Sequence, residues 1–215
     1  TIKFYIRIMV SKDTIRGVTA LDYRIEAKGP LRIAGIYTPL EKDMEKNFQI
    51  VPAFWQKTVA DNILPKLMGI MEMPAVLGIS ACQEEEWKYW IGVCTSKEVE
   101  PPLEILELPA ATWAIFPGTG AMPKACQELE KRIFTEWLPT SGYTYGKGAD
   151  IEVYYNADPT DSVFEIWIPV VKKQKIFKET KGMYLFVKKR RMPSVFVGTR
   201  RIFPFFLDFF SLRVI

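Results

Sequence analysis

The chain has 215 residues, 48% of them hydrophobic and 25% charged, so it can form one sizeable globular domain or two small ones. It contains no histidine, which excludes serine–histidine and cysteine–histidine catalysis and histidine-ligated metals. The three cysteines lack CxxC spacing, and no apolar run reaches the ~18 residues of a membrane helix. These features predict a cytoplasmic protein with reduced thiols, without a metal or another cofactor.

The net charge of +4 is unevenly distributed along the chain. Residues 174–215 carry ten Lys/Arg and two Asp/Glu, so the preceding 173 residues have a balance of −4. An acidic body argues against nucleic acid as a partner of the main domain. The basic and aromatic tail, residues 174–215, is interpreted either as a segment for an anionic membrane surface or as non-native or disordered sequence. Its abrupt change in composition favours the second interpretation and places it outside the domain.

The first half of the chain predicts strands around one helix. Residues 1–22 are interpreted as a linker or a remnant of an upstream segment, with a short strand predicted at residues 3–10. Two extended pieces follow at residues 23–37, and the charged residues 39–48 predict a loop. A helix is expected to begin at Pro52, because proline suits the first helical position, and strands are predicted at 75–82 and 87–94. The apolar residues of that helix recur at helical spacing, namely Val51, Trp55, Val59 and Ile63.

The second half repeats this order. Extended pieces at 103–108 and 111–116 precede a helix that opens at Pro123 and stops before Pro139. A turn-rich segment then leads to strands at 150–155 and 163–170, and residues 88–93 align with 165–170. We therefore predict an α+β fold. Duplicated strand–helix–strand–strand units form one curved antiparallel sheet with two helices on one face and a ligand cleft between the halves.

Glu165 is the single carboxylate in the apolar strand predicted at residues 164–170. Alternation places Glu165 and Trp167 on one face of the strand and the apolar residues 164, 166 and 168 on the other. An ionised carboxylate in such surroundings is costly to leave unpaired. Either a Lys or Arg of the protein neutralises it, or a ligand does, and the residues alone leave both possibilities open.

Aromatic side chains near the predicted cleft are the other candidates for ligand contact. Trp90 and Trp167 occupy equivalent positions in the two halves, and we interpret Trp90 as a core residue and Trp167 as lining the cleft. Three aromatic residues end or follow the second helix, where their faces could stack on a planar cation. The candidate ligand-binding residues are Glu165, Trp167, Tyr143, Trp137, Tyr145, Trp90 and Trp55.

Other carboxylates carry weaker signals. Glu152 and Tyr154 share a strand face, and a solvent-facing Glu152 is as compatible with the pattern as a functional one. The three consecutive glutamates at 84–86 are predicted to form a solvated turn, because such a run without a shaping Gly or Asp pattern seldom binds a metal. The three cysteines are interpreted as small buried hydrophobic residues.

Several blocks of the sequence resemble the GyrI-like effector-binding domain. They are Asp22-Tyr23-Arg24-Ile25-Glu26 and the segments 110–116, 132–143, 150–154 and 165–170, in that order. The resemblance runs from about residue 23 to residue 173. It implies a bacterial domain, usually C-terminal in AraC-type transcription regulators, that binds hydrophobic and often cationic small molecules. It also places Glu165 on the pocket glutamate of the family.

The resemblance leads us to expect a multidrug-type effector-binding domain at residues 23–173, with a lipophilic cation as its partner. No helix-turn-helix precedes Tyr23, so DNA contact is expected only through a segment absent from this chain. An alternative is a hydrolase of strained, cyclopropane-type electrophiles. In that case Glu165 acts as general base and Tyr143 as proton donor. The oligomeric state stays open.

Overall fold

The computed structural model describes residues 20–83 and 85–174, which form an α+β domain. No helix within these residues is long and apolar enough to cross a membrane. The strands are β1 (Arg24–Lys28), β2 (Leu31–Pro39), β3 (Val76–Gln83), β4 (Glu86–Cys94), β5 (Glu104–Leu108), β6 (Ala111–Gly120), β7 (Tyr143–Tyr145), β8 (Asp150–Tyr154) and β9 (Ser162–Lys172). The helices are α1 (Met44–Ala60), α2 (Ile63–Ile70) and α3 (Lys124–Arg132), which continues through the π-helical segment Ile133–Trp137 into the short α4 (Leu138–Thr140).

The order of the strands confirms the internal duplication. The sheet runs β1-β6-β9-β8-β3-β4-β2-β5, with β7 beside β9, and every pairing is antiparallel. Reversing this order exchanges β3 with β8, β4 with β9, β2 with β6 and β1 with β5. A pseudo-twofold axis therefore passes between β3 and β8, where Ile79 pairs with Ile151. Lys88 on β4 and Glu165 on β9 occupy equivalent strands, as predicted.

The two faces of the sheet have different environments. On one, the helix face, α2 packs through Ile63 and Leu67 against alternate residues of β4, and α1 packs beside it. On the other, the inner face, one core cluster joins Leu106 of β5 with Trp113 of β6, although these strands lie near opposite ends of the sheet. The sheet therefore curves around the inner cluster and carries its helices on the outside, as predicted.

The first helix begins earlier than predicted. Asp43 caps it by accepting a hydrogen bond from the backbone N–H of Glu45 at 3.1 Å, so the second half of the charged segment predicted as a loop is helical. Pro52 lies inside α1 rather than at its start. The predicted apolar stripe through Ile63 is interrupted, because Asn62 adopts a left-handed conformation with φ of 56° and separates α1 from α2.

The second helical region also runs past its predicted end. Pro123 caps α3, in agreement with the predicted start, but Pro139 is part of the last helical turn. The π-helical segment between them absorbs the change in hydrogen bonding before that proline. The segment predicted as turns also contains the short strand β7. The strand predicted at residues 3–10 and the tail from residue 175 onward lie outside the described residues.

Candidate functional site

The sheet divides the predicted ligand-binding residues into two groups. Paired residues of antiparallel strands project to the same face, so the register assigns each side chain to a side. The first group, on the inner face, comprises Trp90, Glu165 and Trp167. The second, on the helix face, comprises Trp55, Trp137, Tyr143 and Tyr145. Glu165 and Tyr143 are consequently not brought together.

Glu165 is paired inside the protein. Arg24 of β1 donates to both of its oxygens, from Nη1 to Oε1 at 2.7 Å and from Nη2 to Oε2 at 3.0 Å. Trp167 Nε1 and Tyr155 Oη also donate to Oε2, at 2.8 and 2.9 Å. Burial disfavours the charged carboxylate, but the hydrogen bonds from Arg24, Trp167 and Tyr155 outweigh it and lower the pKa of Glu165. Of the two possibilities left open by the sequence, the structure shows neutralisation by an arginine.

The charges around Glu165 continue along β1. Glu26 lies 2.7 Å from Arg24 Nε and 2.6 Å from Lys28 Nζ, and Lys28 Nζ in turn lies 4.6 Å from the ring centre of Trp167. Each carboxylate of this row has a basic neighbour. Trp167 itself is only 4% exposed and belongs to the inner core cluster, as does Trp90, which is 2% exposed. A ligand role for Glu165 and Trp167 stays a prediction.

A second carboxylate, Glu152, occupies the middle of the helix face. Its Oε2 accepts hydrogen bonds from Tyr89 Oη and Tyr154 Oη, both at 2.7 Å, and its Oε1 lies 3.8 Å from Cys126 Sγ of α3. Trp55 of α1 donates from Nε1 to Tyr89 Oη at 3.0 Å. We call these five residues the central site. It lies between α1 and α3, where the two halves of the domain meet.

The central site combines buried donors with partial access to solvent. Tyr89 and Cys126 are buried, whereas Glu152, Tyr154 and Trp55 are partly exposed. The Trp55 and Tyr154 rings meet edge to face, with their centres 5.4 Å apart. Burial and the charge of Glu152 raise the pKa values of both tyrosines well above the usual range, so they remain protonated donors. A group that reaches Glu152 from solvent therefore passes aromatic surfaces.

Gly78 provides the space in which Glu152 and Tyr89 meet. It pairs with Glu152 across the pseudo-twofold axis, and a Cβ atom there would clash with Tyr89 Oη and lie 2.6 Å from Glu152 Oε2. In the other half, the register places Ser80 at the position equivalent to Glu152. The carboxylate is thus a property of one half only. The duplication supplies the scaffold, and the chemistry breaks its symmetry.

The charge of Glu152 has no basic counterpart within residues 20–83 and 85–174. The ion pairs among residues 20–83 and 85–174 include none with Glu152, whose hydrogen-bonding neighbours are two phenols and a thiol. Burial raises its pKa, and the hydrogen bonds from Tyr89, Tyr154 and Cys126 oppose that rise. A partly buried carboxylate that lacks a cation is a suitable counter-charge for a positively charged ligand.

Sequence reasoning did not select Glu152 because strand alternation alone does not distinguish a covered face from a solvated one. A signal was present in Asp150, Glu152 and Tyr154, three polar or aromatic residues on one face of a strand whose other face is apolar. Nothing comparable in the sequence indicates the contribution of Tyr89. It lies 63 residues from Glu152, on β4, and the two side chains meet only because β4 pairs with β3 and β3 pairs with β8. Cys126 is buried, as predicted, but Cys94 is only partly buried, and the prediction is wrong for Cys82, which is exposed near the end of β3.

Comparisons with known proteins agree with this architecture. The profile of the Cass2 family, described as integron-associated effector binding protein, matches residues 24–170. No match was found among curated proteins. The structure of SAV2435 bound to tetraphenylphosphonium is similar with a TM-score of 0.63 and 21% identity, over 70% of this chain and 94% of that one.

Two further solved structures share the fold. A putative bacterial transcription regulation protein from Staphylococcus aureus MU50 has a TM-score of 0.59 at 22% identity, over 70% of this chain and 99% of that one. The integron cassette protein VCH_CASS2 from Vibrio cholerae has a TM-score of 0.53 at 17% identity, over 69% of this chain and 95% of that one. The match to the family profile also confirms the resemblance to GyrI-like effector-binding domains. This chain belongs to the Cass2 family of integron-associated effector-binding proteins.

Proposed function

We propose that this domain binds a hydrophobic organic cation at the central site, with the Glu152 carboxylate as its counter-charge. The observation that carries the proposal is that Glu152 accepts hydrogen bonds from neutral groups, while no Lys or Arg of the described residues forms an ion pair with it. Glu165, in contrast, is held by Arg24. An incoming cation would need to displace that arginine at Glu165 but not at Glu152.

The physical basis of selectivity is the low polarity around Glu152. Water is scarce beside a partly buried carboxylate, so its attraction for a cation is less screened than at the surface. The rings of Trp55 and Tyr154 offer faces and edges to a lipophilic cation, worth about 0.5–2 kcal/mol for each cation–π contact. The three rings nearer the end of the second helical region, Trp137, Tyr143 and Tyr145, extend the aromatic surface of the same face.

The biological setting that we propose is a cytoplasmic effector sensor, the ligand-binding part of an AraC-type transcription regulator. Membership of an effector-binding family supports the sensing role. The fold shared with SAV2435, whose structure contains tetraphenylphosphonium, supports a lipophilic cation. The fold shared with a putative transcription regulation protein supports the regulatory context.

Titration of tetraphenylphosphonium into wild-type protein and Glu152→Gln tests the proposal. Glutamine keeps the shape of the side chain and removes its charge. The binding free energy should therefore weaken by about 1–3 kcal/mol, which raises the dissociation constant roughly 5- to 150-fold. Triphenylphosphine oxide, a neutral molecule with similar rings, should be affected much less. Glu128→Gln removes an exposed carboxylate from α3 and should leave both affinities unchanged.

Glu165→Gln serves as the discriminating variant in the same titration. If Glu165 rather than Glu152 is the counter-charge, tetraphenylphosphonium binding will weaken in Glu165→Gln and persist in Glu152→Gln. That result would contradict the assignment of the central site. Melting curves of each variant separate a loss of binding from a loss of fold.

A further inference from the structure

Two further carboxylates lie beside Glu152. Asp150 precedes it by two residues on β8 and therefore projects to the same face. Glu130 lies one helical turn after Cys126 on α3, and Cys126 Sγ is 3.8 Å from Glu152 Oε1. Burial is the main cause that raises the pKa of Glu130, and the charges of Glu152 and Asp150 raise it further. The three carboxylates therefore interact electrostatically.

In each carboxylate of β8, one oxygen accepts a hydrogen bond from a tyrosine hydroxyl and the other does not. Asp150 Oδ1 accepts from Tyr145 Oη at 2.7 Å, whereas Oδ2 is buried without a hydrogen-bond partner in the described structure. Asp150 is only 6% exposed, so this orphaned acceptor lies in the interior. Glu152 Oε2 accepts two phenol protons, whereas Oε1 has only the weak thiol of Cys126. Two acceptor oxygens thus remain available on one strand face.

No Lys or Arg in the described part of the chain forms an ion pair with Glu130, Asp150 or Glu152. The described acidic side chains also include no set of three arranged to hold a metal ion. Residues two apart in a strand are about 6.6 Å apart along it, a separation that suits two donors on an elongated molecule better than one compact ion.

We propose that the ligand carries two cationic N–H groups, one bound by Glu152 and the second by Asp150 together with Glu130. This inference rests on the proposed function and narrows it from a lipophilic cation to an organic dication with hydrogen-bond donors. The orphaned Asp150 Oδ2 requires a donor, which a quaternary phosphonium or ammonium group does not have. A diamine or a bis-amidine with an apolar spacer has the required chemistry.

The test compares three probes by isothermal titration at pH 8: p-xylylenediamine, 4-methylbenzylamine and tetraphenylphosphonium. The first two share a ring and differ in the second ammonium group. Wild-type protein should bind the diamine about 10- to 100-fold more tightly than the monoamine, as expected for one added charge-assisted contact. Asp150→Asn should abolish this preference, and Glu130→Gln should reduce it. Tetraphenylphosphonium has no N–H to donate to Asp150, so Asp150→Asn should weaken its binding less than it weakens binding of the diamine, and Glu128→Gln should change neither affinity.

The outcomes separate the two hypotheses. Equal affinities of the two amines for wild-type protein would overturn the dication proposal. A preference for the diamine that survives both Asp150→Asn and Glu130→Gln would overturn it as well. Either result leaves the dependence of tetraphenylphosphonium on Glu152 intact. If none of the three probes is weakened by Glu152→Gln, the proposed function itself fails, and the placement of the dication fails with it.

Discussion

Asp150→Asn should change how the stability of the domain depends on pH. Burial raises the pKa of Asp150 from 3.8 to about 7, with the charge of Glu152 adding to the rise and the hydrogen bond from Tyr145 opposing it. The asparagine keeps an acceptor for Tyr145 and cannot ionise. The substitution therefore removes the cost of ionising this buried group and leaves its main hydrogen bond in place.

The sign and the size follow from proton linkage. The folded protein holds the Asp150 proton up to about pH 7, whereas the unfolded chain loses it near pH 4. The contribution of protonated Asp150 to the unfolding free energy of the wild type is therefore fully present below about pH 4 and is lost as pH rises through 7. A pKa difference of about three corresponds to about 4 kcal/mol at 1.36 kcal/mol for each pKa unit. Asp150 is 6% exposed, so solvent screening reduces this value little.

Chemical denaturation at pH 4, 6 and 8 measures the effect. Relative to wild type, Asp150→Asn should gain roughly 3–4 kcal/mol of unfolding free energy between pH 4 and pH 8, with most of the gain before pH 7. The Asp150 charge also contributes to the raised pKa of Glu130, so its removal lowers that pKa and adds to the gain at high pH with the same sign. Glu128→Gln, which removes an exposed charge from α3, should run parallel to wild type.

A difference between Asp150→Asn and wild type that is constant from pH 4 to pH 8 would refute this reasoning. A gain at low pH instead of high pH would show that the carboxylate is stabilised in the folded state. In either case ionisation of Asp150 would cost the folded protein no free energy, which requires a solvated or already compensated carboxylate. The proposed second contact for a ligand would then lose its basis.

The remaining predictions concern other parts of the sheet. Glu165→Gln should lower the unfolding free energy by roughly 1–2 kcal/mol at pH 7, because it leaves the half-exposed Arg24 without its bidentate partner. The loss should shrink at acid pH, because the carboxylate of the wild type becomes protonated as pH falls through the lowered pKa of Glu165. An unchanged melting temperature would argue against the ion pair. Gly78→Ala should weaken tetraphenylphosphonium binding at least about tenfold, because the added Cβ displaces Tyr89 or Glu152. Gly69→Ala places a Cβ in open space and should leave the affinity unchanged. Equal binding by both variants would contradict the assignment of the ligand to the central site. A chain cut after Lys173 should melt and bind as the full chain does, and a large loss of stability would show that the predicted boundary is wrong.

The sequence determined the repeated scaffold. The alignment of residues 88–93 with 165–170 predicted equivalent strands, and the strand order of the sheet, which reads the same in both halves, confirms it. Alternation also assigned Glu165 and Trp167 correctly to one face. These features depend on local periodicity and on self-similarity, both of which can be read along the chain.

Helix boundaries were less accessible because they depend on competing local signals. Proline at position 52 is typical of a helix start, yet the Asp43 cap begins the helix earlier and α1 continues through Pro52. At Pro139 the π-helical segment accommodates a proline that was expected to end the helix. In both places, the hydrogen bonds of the neighbouring residues outweighed the preference of proline for the ends of helices.

Only the tertiary structure decided which carboxylate is compensated. Glu165 finds Arg24, 141 residues away, while Glu152 finds the neutral hydroxyl of Tyr89, 63 residues away. Alternation shows which residues share a face but not which face the helices cover or which strand lies opposite. Those choices are set by the burial of the whole sheet, so the electrostatic environment of a strand carboxylate follows from packing rather than from its own sequence.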